Sequence, residues 1–183
     1  MNNISIEKTK LPEVLIIKNK IFKDNRGFFL ESFNEKSFNA AISKNMKFVQ
    51  DNHSRSKKNT LRGLHYQIKK PQGKLVRVTY GKVFDVIVDI RKSSPDFGNW
   101  IGIELSEENK KQVWIPEGFA HGFLVLSETA DFVYKTTEYW YPELERCINW
   151  CDEDLNIKWP IKNPKLSKKD EMGMSLKAAD VFE

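Results

Sequence analysis

The feature that most constrains the fold is a succession of short alternating runs, most of them stopped by glycine or proline. In VFDVIVDI, Phe84, Val86, Val88 and Ile90 fall on one face and Val83, Asp85, Ile87 and Asp89 on the other, the period of two that a β-strand imposes. KLVRVTY alternates in the same way and sets Lys74 on the side of Val76, Val78 and Tyr80. GFFLESF, KFVQDNHS, LRGLHYQ, WIGIEL, QVWIP, HGFLVLS and DFVYKTT extend the series. Gly27, Gly73, Gly81, Pro95, Gly98, Pro116 and Gly118 punctuate most of the joins. Many short strands with turn residues about eight to twelve positions apart predict a β-sandwich or barrel. One helix is expected over Glu35 to Ile42, with Asn34 as its N-cap. After Tyr139 the periodicity is lost, and one or two short helices are expected there.

With 183 residues and no repeat, linker or low-complexity tract, the chain reads as a single domain over residues 1–183. Its net charge of +5 comes from Lys and Asp/Glu interleaved along the chain, which describes a solvated surface. The Lys-rich LSKKD stretch at 166–170 is short and carries an acid, so no nucleic-acid footprint is expected. Cys147 and Cys151 are the only cysteines. Four positions apart, they form neither a disulfide framework nor a complete metal site, and both read as small hydrophobes. No leader-like segment or membrane-length apolar run occurs, so a reduced, cytoplasmic protein without a membrane partner is expected.

Polar residues on inward strand faces are the chemical anomaly. Lys74 shares a face with Val76 and Val78, His65 with Leu61 and Gly63, and Tyr134 with Phe132. Each alone is most simply a satisfied core polar group or an outer-face residue. Together they describe a barrel that encloses a reacting ligand. His65 could be a base, a metal ligand or a structural histidine. A cupin-type metal site wants two histidines one residue apart on a strand, but Tyr66 and Gln67 follow His65, so no metal is expected. A neutral imidazole is the best-matched base near pH 7, given an acidic partner to fix its tautomer. Tyr134 could donate a phenolic proton, Lys74 could stabilise an oxyanion, and Arg26 and Arg62 suit bidentate phosphate contacts. No dinucleotide-binding glycine pattern is present.

The order of motifs is more specific than any one of them. DNRGFFLESF, FVQDNHSRS, LRGLHYQ, QGKLVRV, GKVFDVIVDIRKSSPDFGNW, WIPEGFAHGFLVLS, FVYKTTEYW and LSKKD run in sequence from about residue 14 to 170. In these motifs the chain resembles the RmlC-type dTDP-4-dehydrorhamnose 3,5-epimerases. The resemblance implies a mainly β fold, a cupin-type jelly-roll barrel with a few short helices. It implies inversion of carbons 3 and 5 of dTDP-4-dehydro-6-deoxy-D-glucose, giving dTDP-4-dehydro-L-rhamnose for a cell-surface polysaccharide such as lipopolysaccharide.

By the same resemblance His65 is the base, Tyr134 the opposing acid, Asp170 the carboxylate paired with His65, and Lys74 the stabiliser of the keto oxygen. Arg26, Phe29, Glu31, Gln50, Asp51 and Asn52 match substrate-binding positions, as do Arg62, Lys74, His121, Tyr139, Glu145 and Lys169. A homodimer is implied, with Arg26 to Glu31 reaching the partner's pocket, and neither cofactor nor metal is. Trp140 departs from the pattern, standing where many relatives carry a second tyrosine. Two other outcomes fit the same scaffold: a 3-epimerase of a related nucleotide 4-ketosugar, and a non-catalytic sugar-binding cupin.

Overall fold

The computed structural model describes residues 3–183. Thirteen strands are present among them: β1 (Ile4–Lys8), β2 (Leu15–Asn19), β3 (Ile21–Asp24), β4 (Gly27–Leu30), β5 (Gln50–Lys57), β6 (Leu61–Gln67), β7 (Lys74–Tyr80), β8 (Lys82–Asp89), β9 (Trp100–Ser106), β10 (Gln112–Ile115), β11 (Phe119–Val125), β12 (Thr129–Thr136) and β13 (Glu145–Cys147). One sheet has the order β1-β2-β10-β7-β12-β5, a second β13-β6-β11-β8-β9, and β3 and β4 form a separate hairpin. The pairings are antiparallel throughout both sheets.

The expected jelly-roll architecture is present, but the expected barrel is not closed. Hydrogen bonding stops at β1 and β5 on one sheet and at β9 and β13 on the other. Two sheets of this kind join by burying their facing side chains rather than by sharing backbone bonds. Val76 and Val78 from β7, Val83 and Ile87 from β8, Phe123 from β11 and Phe132 from β12 form that shared layer.

The alternation of VFDVIVDI holds on both sides. Val83 and Ile87 enter the layer between the sheets, while Val86, Val88 and Ile90 pack outward on Ile148, Leu155, Leu176 and Val181. Residues after Tyr139 therefore lack periodicity because they form a covering layer, inserting apolar side chains one at a time against a sheet. That layer holds a 3-10 turn at Pro142–Leu144, the short strand β13, and a helix, α2, at Lys168–Glu171. The outer face of the six-stranded sheet is covered by α1 (Glu35–Ile42), whose Phe38 and Ile42 pack on Ile17, Leu75 and Trp114. Asn34 caps α1 as expected, its side chain accepting from the Ser37 N–H at 3.0 Å.

Strands β1, β2, β3 and β13 go beyond the expected set. β1 is exposed over most of its length, and LIIKN in β2 is a run of three apolar residues without alternation.

Candidate active site

The open seam between β5 and β13 is the mouth of a cavity of about 350 Å³. Gln50, Asn52, His53 and Ser54 of β5 line one side, and Glu145 of β13 and Lys169 of α2 the other. Trp140 bridges the two edges: its backbone N–H donates to Gln50 Oε1 at 3.1 Å and its indole N–H to Glu145 Oε2 at 3.1 Å. The floor is built from Arg62 and His65 of β6, Lys74 of β7, His121 and Phe123 of β11, and Phe132 and Tyr134 of β12.

Strict alternation sets His65 with Leu61 and Gly63, but the structure pairs it with Arg62 on the cavity face. On β6, Arg62 lies opposite Phe123 and His65 opposite His121, so three steps on one strand face two on the other. This is a β-bulge, which turns a side chain to the other face. It falls at Gly63, whose φ of +125° a glycine adopts without steric penalty. A Cβ there would meet Gly122 Cα at 2.5 Å and the His121 carbonyl oxygen at 2.8 Å. β6 and β11 thus approach closely where both site histidines emerge.

His65 Nε2 lies 2.6 Å from Asp170 Oδ1. The carboxylate is buried and held by more than the imidazole. Gly63 N–H donates to Oδ1 at 3.2 Å, and Ser167 Oγ–H, at the N-cap of α2, to Oδ2 at 2.6 Å. Burial alone would raise the Asp170 pKa, but the bonds from His65, Ser167 and Gly63 bring it down to about 2, so it is a fixed negative charge. Burial depresses the His65 pKa, Asp170 lifts it, and Lys169 lowers it, leaving a net depression that keeps the imidazole neutral. With Nε2–H donated to the carboxylate, Nδ1 carries the basic lone pair.

Tyr134 enters from the opposite sheet. Burial raises the phenol's pKa and nearby Glu145 adds to this, so Tyr134 holds its proton at neutral pH as a donor must. Lys74 Nζ lies 3.5 Å from the His65 carbonyl oxygen. Burial brings its pKa down to about 8, against the pull of Glu145 and Asp85. Glu145 is bound by Lys169 at 2.8 Å. The Nδ2 of Asn52 is buried without a hydrogen-bond partner, a donor that a polar ligand would satisfy.

Nine of the expected residues therefore line one cavity: Gln50, Asn52, Arg62, His65, Lys74, His121, Tyr134, Glu145 and Lys169, with Asp170 directly behind His65. The others lie elsewhere in the single chain. Arg26 is paired with Asp24 at 2.6 Å on the exposed β3–β4 hairpin, Phe29 is 68% exposed there, and Glu31 follows it. Asp51 points to the other face of β5, where Lys135 binds it at 2.8 Å. Tyr139 is 54% exposed, and its neighbour Trp140 takes the place at the cavity rim. His53, Ser54, Gln72, Phe123 and Phe132 line the cavity without having been singled out in the sequence. Phe123 and Phe132 belong equally to the core between the sheets.

The donor atoms of His65, Cys147 and Asp170 lie within 4.8 Å of one another, close enough to share a metal ion. An ion there would have to break the His65–Asp170 bond and take the proton of a thiol whose pKa burial pushes up to about 12. The trio fits a hydrogen-bonded acid–base pair better than a metal centre.

A basic imidazole and a protonated phenol facing each other across a cationic cavity define an enzyme suited to proton transfer on an anionic ligand. Residues 8–178 match the dTDP-4-dehydrorhamnose 3,5-epimerase family. The chain is 57% identical over 180 residues to the dTDP-4-dehydrorhamnose 3,5-epimerase of Shigella flexneri, covering 98% of this chain and 99% of that one. It is 57% identical to the corresponding Pseudomonas aeruginosa enzyme, over 94% and 96% of the two chains. The crystal structure of the Legionella pneumophila dTDP-6-deoxy-D-glucose-3,5-epimerase in complex with dTDP-4-keto-L-rhamnose superposes with a TM-score of 0.94. Identity to it is 52%, and 97% of this chain and 95% of that chain are covered. The chain belongs to the dTDP-4-dehydrorhamnose 3,5-epimerase family, a family of cupin-like isomerases.

Proposed function

We propose that the chain inverts carbons 3 and 5 of dTDP-4-dehydro-6-deoxy-D-glucose to give dTDP-4-dehydro-L-rhamnose, with His65 as base and Tyr134 as acid. The observation that carries this reading is that the two side chains reach one cavity from opposed sheets. The ketone at carbon 4 acidifies the hydrogens on carbons 3 and 5. Nδ1 of His65 takes one of them, and the electron pair moves onto the keto oxygen as an enolate. Lys74 stabilises that oxygen as a buried positive charge. Inversion requires a proton on the other face of the ring, which a single base cannot supply. Tyr134 delivers its own, and exchange with solvent water returns a proton to the phenolate and takes one from the His65 imidazolium before the second carbon reacts. Asp170 holds the imidazolium that forms until the next step.

Arg62, Lys169 and the β5 side chains Gln50 and Asn52 serve the nucleotide and sugar, together with His121 and Glu145. Arg26, Phe29 and Glu31 belong to the partner's pocket in a homodimer, which accounts for their distance from this one. Asp51, on the other face of β5, and Tyr139, exposed beside the rim, are carried to substrate binding by the family resemblance rather than by a place in this cavity. The product feeds dTDP-rhamnose and cell-surface polysaccharide synthesis in the cytoplasm. No helix among the described residues is long and apolar enough to cross a membrane.

The test is NMR of the full chain with dTDP-4-dehydro-6-deoxy-D-glucose in deuterated water. Deuterium at carbons 3 and 5 with inversion at both supports the reading. Deuterium at carbon 3 alone makes the chain a 3-epimerase, and no exchange at either carbon makes it a binding protein.

A further inference from the structure

Gln67 ends the LRGLHYQ strand and takes no part in the steps above. Two positions beyond His65, it lies on the same face of β6, opposite Glu145 of β13, and is 3% exposed. It sits beneath the loop that carries Trp140, and its side-chain amide is directed wholly at backbone. Nε2 donates to the Tyr139 carbonyl at 3.1 Å and to the Lys70 carbonyl at 2.6 Å, and Oε1 accepts from the Tyr141 N–H at 2.8 Å. One buried amide thus pins the chain on both sides of Trp140.

The loop depends on such bonds, because β12 ends at Thr136 and the 3-10 turn begins only at Pro142. Gln72 Nε2 donates to the Glu138 carbonyl at 3.0 Å, Glu138 Oε1 accepts from the Tyr139 N–H at 2.8 Å, and Gln50 Oε1 accepts from the Trp140 N–H at 3.1 Å. Of the three glutamines only Gln67 is buried, so its bonds are the ones shielded from competing water. The indole they support is 53% exposed, and its N–H reaches Glu145 across the cavity mouth. With His65, Lys74 and Tyr134 on the floor, the sugar lies deep and the nucleotide end of the ligand comes to the mouth, where Trp140 offers a flat aromatic face.

Resting on the epimerase reading, we propose that Gln67 is a positioning residue: its buried amide clamps the backbone on both sides of Trp140 and so holds the indole across the cavity mouth, ready for the nucleotide end of the substrate. An indole set in place before the ligand arrives spares binding the cost of ordering the loop. Without the amide that cost returns, and the bonds from Trp140 to Gln50 and Glu145 are left to hold the loop alone.

The experiment is calorimetric titration of the full chain with dTDP in the wild type, Gln67→Met, Trp140→Ala and the double variant. KM and kcat for dTDP-4-dehydro-6-deoxy-D-glucose are measured alongside. Methionine keeps the length and flexibility of the buried side chain without its amide. The Kd for dTDP should rise about tenfold in each single variant, the scale of an aromatic contact with a nucleobase. The double variant should bind dTDP no more weakly than Trp140→Ala, because without the indole the clamp has nothing to position. In Gln67→Met, KM should rise with Kd while kcat changes by less than about threefold, since the amide bonds none of His65, Lys74, Tyr134 and Asp170.

A merely structural role would weaken dTDP equally with and without Trp140, and that additivity overturns the proposal. Wild-type affinity in either single variant, or a fall in kcat with dTDP affinity unchanged, overturns it as well. Should Gln67→Met not fold, Gln67→Glu keeps the acceptor for Tyr141 and removes both donors, and the same cycle decides by the same outcomes. If the wild type epimerises nothing while the dTDP cycle is non-additive as described, the epimerase reading has failed and the clamp stands. If it epimerises and the cycle is additive, the clamp alone has failed.

Discussion

Oδ1 of Asp170 lies 2.6 Å from Nε2 of His65, although 105 residues separate the two in the chain. The contact closes because α2 is capped by Ser167, whose hydroxyl binds the other carboxylate oxygen and forms a capping box with Asp170. A helix start thus serves as a bracket for the dyad, with Asp170 in its first turn.

Asp170→Asn should change the pH profile as well as the rate. The base acts when neutral, so activity is lost as pH falls through the His65 pKa. Asp170 lifts that pKa against the depression from burial. Without the carboxylate the pKa drops further, and the acid limb of kcat/KM moves to lower pH while the plateau falls about tenfold to a hundredfold. A plateau loss with an unmoved limb would contradict this electrostatic role.

His65→Ala should leave the circular dichroism spectrum close to wild type but lower the melting temperature by a few degrees, since buried Asp170 loses one partner and keeps Ser167 and the Gly63 N–H. Exchange of the sugar protons with solvent should fall at least about a hundredfold, the usual contribution of a general base. Exchange near the wild-type rate would mean another group takes the proton.

Gly63→Ala tests the bulge that brings Arg62 and His65 together. The added methyl would meet Gly122 Cα at 2.5 Å and the His121 carbonyl oxygen at 2.8 Å, neither of which can swing aside as a side chain would. With φ at +125° the backbone is strained for alanine as well. A loss of about 2–3 kcal/mol is expected, lowering the melting temperature by roughly 5–10 °C. Activity at low temperature should fall too, because the Gly63 N–H is one of the donors that fix Asp170. A melting temperature within a degree or two of wild type, about the resolution of such a comparison, would show that β6 can move away from β11.

The parts of the fold that were legible in the sequence are those governed by short-range repetition. The alternation of β8 and the inward positions of Lys74 and Tyr134 follow from the two-residue period of a strand, and α1 follows from its Asn34 cap. What escaped depends on contacts distant in sequence. The period fails at Gly63, where the β6–β11 register shifts, so Arg62 reaches the cavity against the alternation. Leu155, Leu176 and Val181 carry no pattern of their own because the outer face of β8 supplies it. The pairing of His65 with Asp170 was reached only through the family resemblance, since nothing local to either residue points to the other. Asp85 was visible as a carboxylate on an apolar strand face, but its partner His121 lies on a neighbouring strand.

Removal of metal ions should have no effect. Three potential donors, His65, Cys147 and Asp170, lie within 4.8 Å of one another, but two already bind each other and the third is a thiol pushed up to about 12. Turnover measured after prolonged treatment with EDTA should equal that of the untreated protein. Activity lost to the chelator and restored by a divalent ion would assign the trio a catalytic metal instead.

Tyr134→Phe should separate proton removal from inversion. His65 stands on the five-stranded sheet and Tyr134 on the six-stranded one, so the phenol is the donor for the face that the imidazole does not reach. Deleting the hydroxyl leaves the ring in its packing against Phe132, at 6.1 Å between centroids, and leaves the His65–Asp170 pair untouched. Abstraction can then continue, with the enolate reprotonated from the side of His65 or by water. The expected signature is deuterium wash-in with little stereochemical inversion, the epimerisation rate falling about a hundredfold or more and the exchange rate much less. Both rates falling together with the melting temperature would reduce Tyr134 to a packing residue. A sugar-bound structure with the Tyr134 hydroxyl and the His65 ring on the same side of the sugar would exclude the two-face mechanism altogether.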